Sequence, residues 1–184
     1  FAGDVLASAR TEWSGGGEDD EVGDPATGGV VRNILKAGRG TEPVWTSTAW
    51  LDTLDLGDPA SPVAGGTLEL GTGWAYDVRS IDGAVVVVVV DDESSHVVRV
   101  DVSGAPAVTG TADVDGSRWA QAAVGDVLLL GGGTWSEDGG YVQDVVPVRA
   151  NADGVVAGGA FETGSWATEA ARDGDLLGIA AFDR

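Results

Sequence analysis

An all-β fold, a β-propeller-like array of four-stranded blades, is what this sequence predicts, and three observations predict it. Tryptophan recurs at Trp74, Trp119 and Trp166, 45 and 47 residues apart, each after a glycine-containing turn. Seven or eight residues after each tryptophan stands an aspartate next to glycine, in the pairs Asp82-Gly83, Gly125-Asp126 and Asp173-Gly174, and each pair opens an apolar run. Between clusters of Gly, Asp and Pro the chain alternates Val, Thr and aromatic residues at a period near two, and nowhere carries the longer period of an extended amphipathic helix. Four short strands in about 45 residues is the content of one propeller blade.

The elements follow in order. Gly3–Ala9 reads as a strand entered from Gly3-Asp4, and Ala84–Val90, Val127–Leu130 and Leu176–Ala181 are its counterparts after the three Asp/Gly pairs. Strands are therefore expected to start near Val5, Ala84, Val127 and Leu176. Upstream of each tryptophan sits another alternating stretch: Leu51–Leu56, Val97–Val102 and Val145–Arg149. A turn rich in Gly, Asp, Asn or Pro follows each, and after the turn come Val63–Leu70, Ala107–Val114 and Val155–Phe161. The 30 glycines supply the positive-φ positions that such tight turns require. Residues 11–47, with Gly15-Gly16-Gly17 and the acidic run Glu18–Glu21, read as a solvated insertion between two strands of the first unit. The expected layout is a first blade at 1–78, a second at 79–122, a third at 123–170 and the start of the next at 171–184. Three blades cannot close a ring of normal geometry, so the array is expected to be part of a larger ring, completed by a missing remainder of the chain or by further copies. A chain without methionine is expected to be a mature product or a fragment.

Composition narrows the function. The 184 residues carry 30 acidic against 10 basic side chains, a formal net charge of −20, which disfavours nucleic acid and anionic membranes as partners. The longest apolar run, Ala84–Val90, is far short of the roughly 20 residues a spanning helix needs, so membrane insertion is not expected. Absence of cysteine excludes disulfides and thiolate chemistry. The Asp-rich, Lys-poor balance is that of salt-adapted proteins or of GC-rich genomes.

Certain stretches carry a resemblance. Leu54-Asp55-Leu56-Gly57-Asp58-Pro59-Ala60-Ser61-Pro62 and Val100-Asp101-Val102-Ser103-Gly104-Ala105-Pro106 are similar to a strand ending in Asp-x-Ser-x-Pro, and Trp74–Gly83 looks like an aromatic-x-x-Val-Arg-x-Ile-x-Asp entry. In these the chain resembles the secreted bacterial and archaeal proteins with a C-terminal β-propeller distantly related to WD40 repeats. The resemblance covers roughly 44–130 well, and 1–10 and 160–184 loosely. The third unit departs, with Pro147 inside a strand and Asn151–Gly154 in place of the proline turn. The resemblance implies a propeller fold and a secreted or cell-surface location, and it brings no catalytic residues with it.

Candidate site residues fall into four groups. Trp74, Trp119 and Trp166 are read as repeat residues packing between blades. The irregular tryptophans Trp13, Trp45, Trp50 and Trp135 lie in or beside loops and are the candidates for gripping a glycan or protein. Asp82, Asp126 and Asp173 recur at turns near one mouth of the array, where paired carboxylates could hydrolyse a glycosidic bond or could simply make turns. Asp91, Asp92, Glu93, Asp113 and Asp115 are the oxygen ligands that calcium would take, although no complete calcium loop is present. The single histidine, His96, is expected in an exposed hairpin tip before Val97, with Ser94 and Ser95 too close along the chain for a Ser-His-Asp triad to be assured. Gly131-Gly132-Gly133-Thr134 lacks the lysine of a phosphate loop. The expected function is a non-catalytic extracytoplasmic module for protein or glycan binding or for cell-surface structure. The alternatives are a hydrolase or lyase using channel carboxylates, and a self-assembling surface or fibre subunit.

Overall fold

The computed structural model describes residues 5–14, 46–135, 141–163, 166–173 and 176–182. All regular structure among them is β, in fourteen strands: β1 Val5–Ser14, β2 Thr46–Asp55, β3 Val63–Thr72, β4 Trp74–Ile81, β5 Ala84–Val90, β6 Ser94–Asp101, β7 Ala107–Asp115, β8 Trp119–Val124, β9 Val127–Trp135, β10 Tyr141–Asn151, β11 Gly154–Ala157, β12 Phe161–Glu162, β13 Trp166–Asp173 and β14 Leu176–Phe182. They pair antiparallel into four sheets: β1-β2-β3, β4-β5-β6-β7, β8-β9-β10-β11 with β12 also on β10, and the hairpin β13-β14. Strands begin at Val5, Ala84, Val127 and Leu176, the four positions expected from the Asp/Gly spacing. The hydrogen-bonded sheets open at the tryptophans themselves, Trp74, Trp119 and Trp166, because the strand leading into each Asp/Gly turn pairs with the strand leaving it.

Local chemistry fixes the turns. Asp82 and Gly83 both take positive φ, 49° and 73°, the backbone that a two-residue hairpin turn demands and that Gly and Asp tolerate. β2, β6 and β10, each followed in its sheet by the outermost strand, end in an Asp or Asn whose carboxylate or amide oxygen accepts a backbone N–H two residues on: Gly57 to Asp55 at 2.8 Å, Ser103 to Asp101 at 2.9 Å and Asp153 to Asn151 at 3.0 Å. Asp55 and Asp101 thus serve as turn acceptors.

A bulge repeats with the tryptophans. The β4–β5 ladder skips Tyr76, β8–β9 skips Gln121 and β13–β14 skips Thr168, in each case the second residue after the tryptophan. An extra residue on one strand bends it and raises its twist, so the three sheets share one local distortion as well as one spacing.

Three apolar interfaces hold the sheets together. On β5 the odd valines Val85, Val87 and Val89 pack with Ala49 and Leu51 of the first sheet. The even valines Val86, Val88 and Val90 pack with Leu128, Leu130, Val146 and Val148 of the third. Leu129 and Val145 turn the other way, towards Ala170 and Ile179 of the hairpin β13-β14. A valine run reads as continuous rather than alternating because its sheet is covered on both faces.

Three sequence expectations are corrected. Thr11–Ser14 and Thr46–Ser47, assigned to the insertion, extend the β1–β2 ladder, whereas 15–45 lies outside the described residues. The strand expected over Val155–Phe161 is two pieces, β11 and β12, separated opposite Pro147. Proline has no N–H to give to a ladder, and at this point the outer strand lifts away, with Gly158 N–H donating to the Pro147 carbonyl at 2.8 Å. His96 is not at a hairpin tip: it is the third residue of β6 and one third exposed.

Candidate functional site

The first cluster is aromatic and lies where the first two sheets meet. Alternation along β1 turns Val5, Ala7 and Ala9 to the core, puts the Thr11 hydroxyl where it accepts the Ala75 N–H at 3.0 Å, and leaves Trp13 at the end of the same row. Trp13 is 58% exposed, and its ring meets Trp74 edge to face at 6.0 Å and 89°. Trp74 is itself half-buried at the head of β4, and the bulged Tyr76, two residues on, is 59% exposed. Gly73 makes this corner possible. It has φ +122°, its N–H donates to the Ser47 carbonyl at 2.9 Å, and a Cβ there would lie 2.7 Å from the Val90 carbonyl oxygen.

Trp50 is on β2, half-buried, under the guanidinium of Arg10 at 5.4 Å from the ring centroid. Arg10 is held over it by Asp52, at 2.6 Å, and by Glu12, and these carboxylates raise its affinity for its proton. Trp50 Nε1 is buried without a hydrogen-bond partner. Trp13, placed by the sequence in the insertion, is therefore a strand residue of β1, and Trp50 lies in the middle of β2. Trp45 lies outside the described residues, and Trp135 closes β9 with a side chain outside them. Trp119 opens β8 half-buried, and Trp166 opens β13.

A second group gathers at the turn end of the sheets. Asp82, Gly125, Asp126 and Asn151 line an open cavity of about 430 Å³. Asp126 accepts from Asn151 Nδ2 at 3.1 Å and faces Arg149 Nε at 3.7 Å, while its carbonyl accepts the Ala150 N–H at 2.7 Å. The carboxylate thereby secures the β8–β9 turn to the end of β10. Two of the three recurring aspartates share this cavity, and Asp173, the last residue of β13, is not among its walls. A second hollow of about 360 Å³ adjoins it, sharing Asn151 and formed by Pro147, Arg149 and Val156 where the outer strand is broken.

The third cluster surrounds His96. Its Nδ1 stands 2.8 Å from Asp113 Oδ1 on β7, and its Nε2 lies 3.1 Å both from Asp91 Oδ2 and from Ser94 Oγ. Asp91 also accepts the backbone N–H groups of Glu93 at 2.8 Å and Ser94 at 2.6 Å, and the Ser94 hydroxyl at 3.0 Å. Burial alone would raise the Asp91 carboxyl, but these donors outweigh it and bring it down to about 2. Burial likewise lowers His96, and the hydrogen bonds to Asp113 and Asp91 more than reverse that and raise it. The Ser94–His96–Asp113 distances imitate a catalytic triad, yet the chemistry differs. An imidazole between two carboxylates is stabilised as the cation, and a cation cannot take the serine proton.

Asp92, Glu93 and Asp115 are exposed on the rim of this cluster, and among the described residues no group of three or more His, Cys, Asp or Glu side chains is arranged to hold a metal ion. The Glu93 and Asp115 carbonyls are used in the fold: Gly116 N–H donates to the first at 2.8 Å and Arg118 Nε to the second at 2.7 Å.

Sequence reasoning passed over Arg118 and Asp144, and weighed Ser95 only as a nucleophile. Ser95 Oγ accepts the Arg118 N–H at 2.6 Å and lies 3.0 Å from the carbonyls of Gly116 and Arg118. The Arg118 side chain then runs across β9 over Gly132, where a Cβ would be 2.9 Å from its Cγ, to a two-pronged pair with Asp144 at 2.5 and 3.0 Å. The available signal was an arginine, one of ten cations, placed directly before a repeat tryptophan. The chain matches no protein family model, and none of the curated proteins is detectably similar to it.

Proposed function

We propose that the four sheets are blades of a β-propeller-like array, exposed outside the cytoplasm, which acts as a non-catalytic binding module, and that the Trp13–Trp74 corner is its binding surface for glycan. The observation that carries this reading is Trp13, a large ring 58% exposed yet fixed edge-on by Trp74. A rigid exposed aromatic loses little conformational entropy on binding and offers the flat apolar face that stacks on a sugar ring. Size favours a saccharide over a protein. A protein interface needs about 800 Å² per partner, whereas an aromatic side chain supplies roughly 150–250 Å². The border supports hydroxyl recognition as well, since Ser14 Oγ and Thr46 Oγ1, next to Trp13 along the ladder, are 2.8 Å apart and both exposed. Net charge of −20 turns the preference towards neutral rather than acidic sugars.

Titration with neutral β-linked and α-linked oligosaccharides, followed by tryptophan emission and calorimetry, tests the reading. A saturable change is expected, lost in Trp13→Ala and kept in Asp126→Asn, with no sugar released. Equal binding by wild type and Trp13→Ala would remove Trp13 from the site, and release of reducing sugar that Asp126→Asn abolishes would replace binding with hydrolysis.

A further inference from the structure

We propose that Asp91, His96 and Asp113 form a pH-operated clasp that fastens the start of β6 to β7 and, through Glu93 and Ser95, steadies the crossing from the second sheet to the third. Both imidazole nitrogens face a carboxylate oxygen, and only a ring that donates from both gives each carboxylate an N–H. Nδ1 faces a carboxylate oxygen at 2.8 Å and Nε2 faces another at 3.1 Å. Only the imidazolium has two N–H groups; a neutral ring must turn a lone pair towards one of the two carboxylates.

The two carboxylates are not equally free to leave. Asp91 is pinned by the Glu93 and Ser94 amides and the Ser94 hydroxyl, whereas the Asp113 side chain is 80% exposed. On deprotonation Nε2–H stays with Asp91, and Asp113 swings into solvent. The bond so lost sits at the root of the crossing. The ladder pairs His96 with Asp113, Ser95 with Val114 and Ser94 with Asp115, and directly beyond it come the Gly116 N–H to Glu93 carbonyl bond and the Ser95 contacts to Gly116 and Arg118.

The surrounding charges act in the same direction. The turn adds Asp92 and Glu93, β7 adds Asp115, and β5 presents valine alone. On the first sheet Asp52 and Glu69 alternate with the core-facing Leu51, Leu68 and Leu70 and so lie on its far face, where Arg10 pairs with Asp52 and Glu12; Arg79 of β4 pairs with Asp77. Arg99 of β6 donates to Thr109. Burial lowers the histidine, and the hydrogen bonds and charges of Asp113 and Asp91 outweigh it and raise the ring above its ordinary value. A group raised in the folded state contributes its stability in full below its unfolded value of about 6.5, and that contribution disappears as pH climbs through the folded value. The clasp is closed in mildly acidic solution and open in alkaline solution.

His96 is the only histidine, so its ring C–H resonances report on it alone. An NMR titration of the wild-type chain is expected to give a midpoint above about 6.5, and Asp113→Asn, a change at an exposed side chain, is expected to lower it. Amide exchange, corrected for the intrinsic pH dependence, is expected to show protection at Gly116 and Arg118 falling roughly three- to tenfold across that midpoint while the amides of β5 hold theirs. A midpoint at or below the ordinary histidine value, a midpoint indifferent to Asp113→Asn, or protection at Gly116 and Arg118 that tracks β5 would each overturn the clasp.

Discussion

Arg118 shows how much one side chain can carry. Its backbone N–H is taken by Ser95, its Nε by the Asp115 carbonyl and its fork by Asp144, so it joins β6, β7 and β10. The side chain is 10% exposed and its partner 24%, well removed from solvent screening. Arg118→Ala should cost about 1.5–3 kcal/mol, the range for hydrogen bonds to charged groups. Arg118→Lys should recover only part of that, because lysine keeps the charge and loses the planar fork. Chemical denaturation of both variants measures this, and equal stability of Arg118→Ala and wild type would show that the pair does not contribute. Asp91 makes a prediction of opposite sign to that for His96. Its carboxyl is depressed from an ordinary 3.8 to about 2, so its stabilisation is present above about 3.8 and is lost as pH falls towards 2. Asp91→Asn should therefore flatten the acid limb of the stability curve over that window. These side-chain meetings were not legible in the sequence. His96 to Asp113 spans 17 positions and Arg118 to Asp144 spans 26, and only the register of paired strands brings them together.

At the level of the strand, β5 is the element on which the fold turns. All seven of its residues are buried, with Val87 at 0% and Val88 at 1% exposure, because each face of the second sheet meets another sheet. Val87→Asp places an unpaired charge there at a cost of several kcal/mol and should abolish soluble folding; an unchanged melting temperature would contradict the burial. Leu129 gives a graded comparison. It sits in the smaller interface with the β13-β14 hairpin, and Leu129→Ala should cost about 2–5 kcal/mol, towards the lower end if the hairpin collapses onto the space. The start of β5 was legible from Asp82-Gly83, since a two-residue turn is a local matter. The bulges at Tyr76, Gln121 and Thr168 were not, because an unmatched residue is defined only by the partner strand.

Across the whole molecule, charge sets the expected response to solution conditions. A net charge of −20 on 184 residues implies self-repulsion that salt relieves as the Debye length contracts from about 30 Å at 10 mM to about 3 Å at 1 M. The melting temperature should rise with NaCl over that range. A calcium site would instead give a rise at millimolar CaCl₂ that MgCl₂ at equal ionic strength does not reproduce. A response to ionic strength alone would leave the acidic loops as turn chemistry and solvated surface, the roles Asp55, Asp91 and Asp101 already perform as turn acceptors.

The β class and the four strand starts at Val5, Ala84, Val127 and Leu176 could be read from the chain alone, because turn geometry and alternation are written in neighbouring residues. Tertiary structure decided what those strands do to one another. It turned successive valines of β5 towards different sheets, split the outer strand opposite Pro147, laid Arg118 across Gly132 to reach Asp144, and seated His96 between Asp91 and Asp113. Each of these depends on strand register and on which sheets stack, and both are settled by burying apolar faces between residues far apart in the chain.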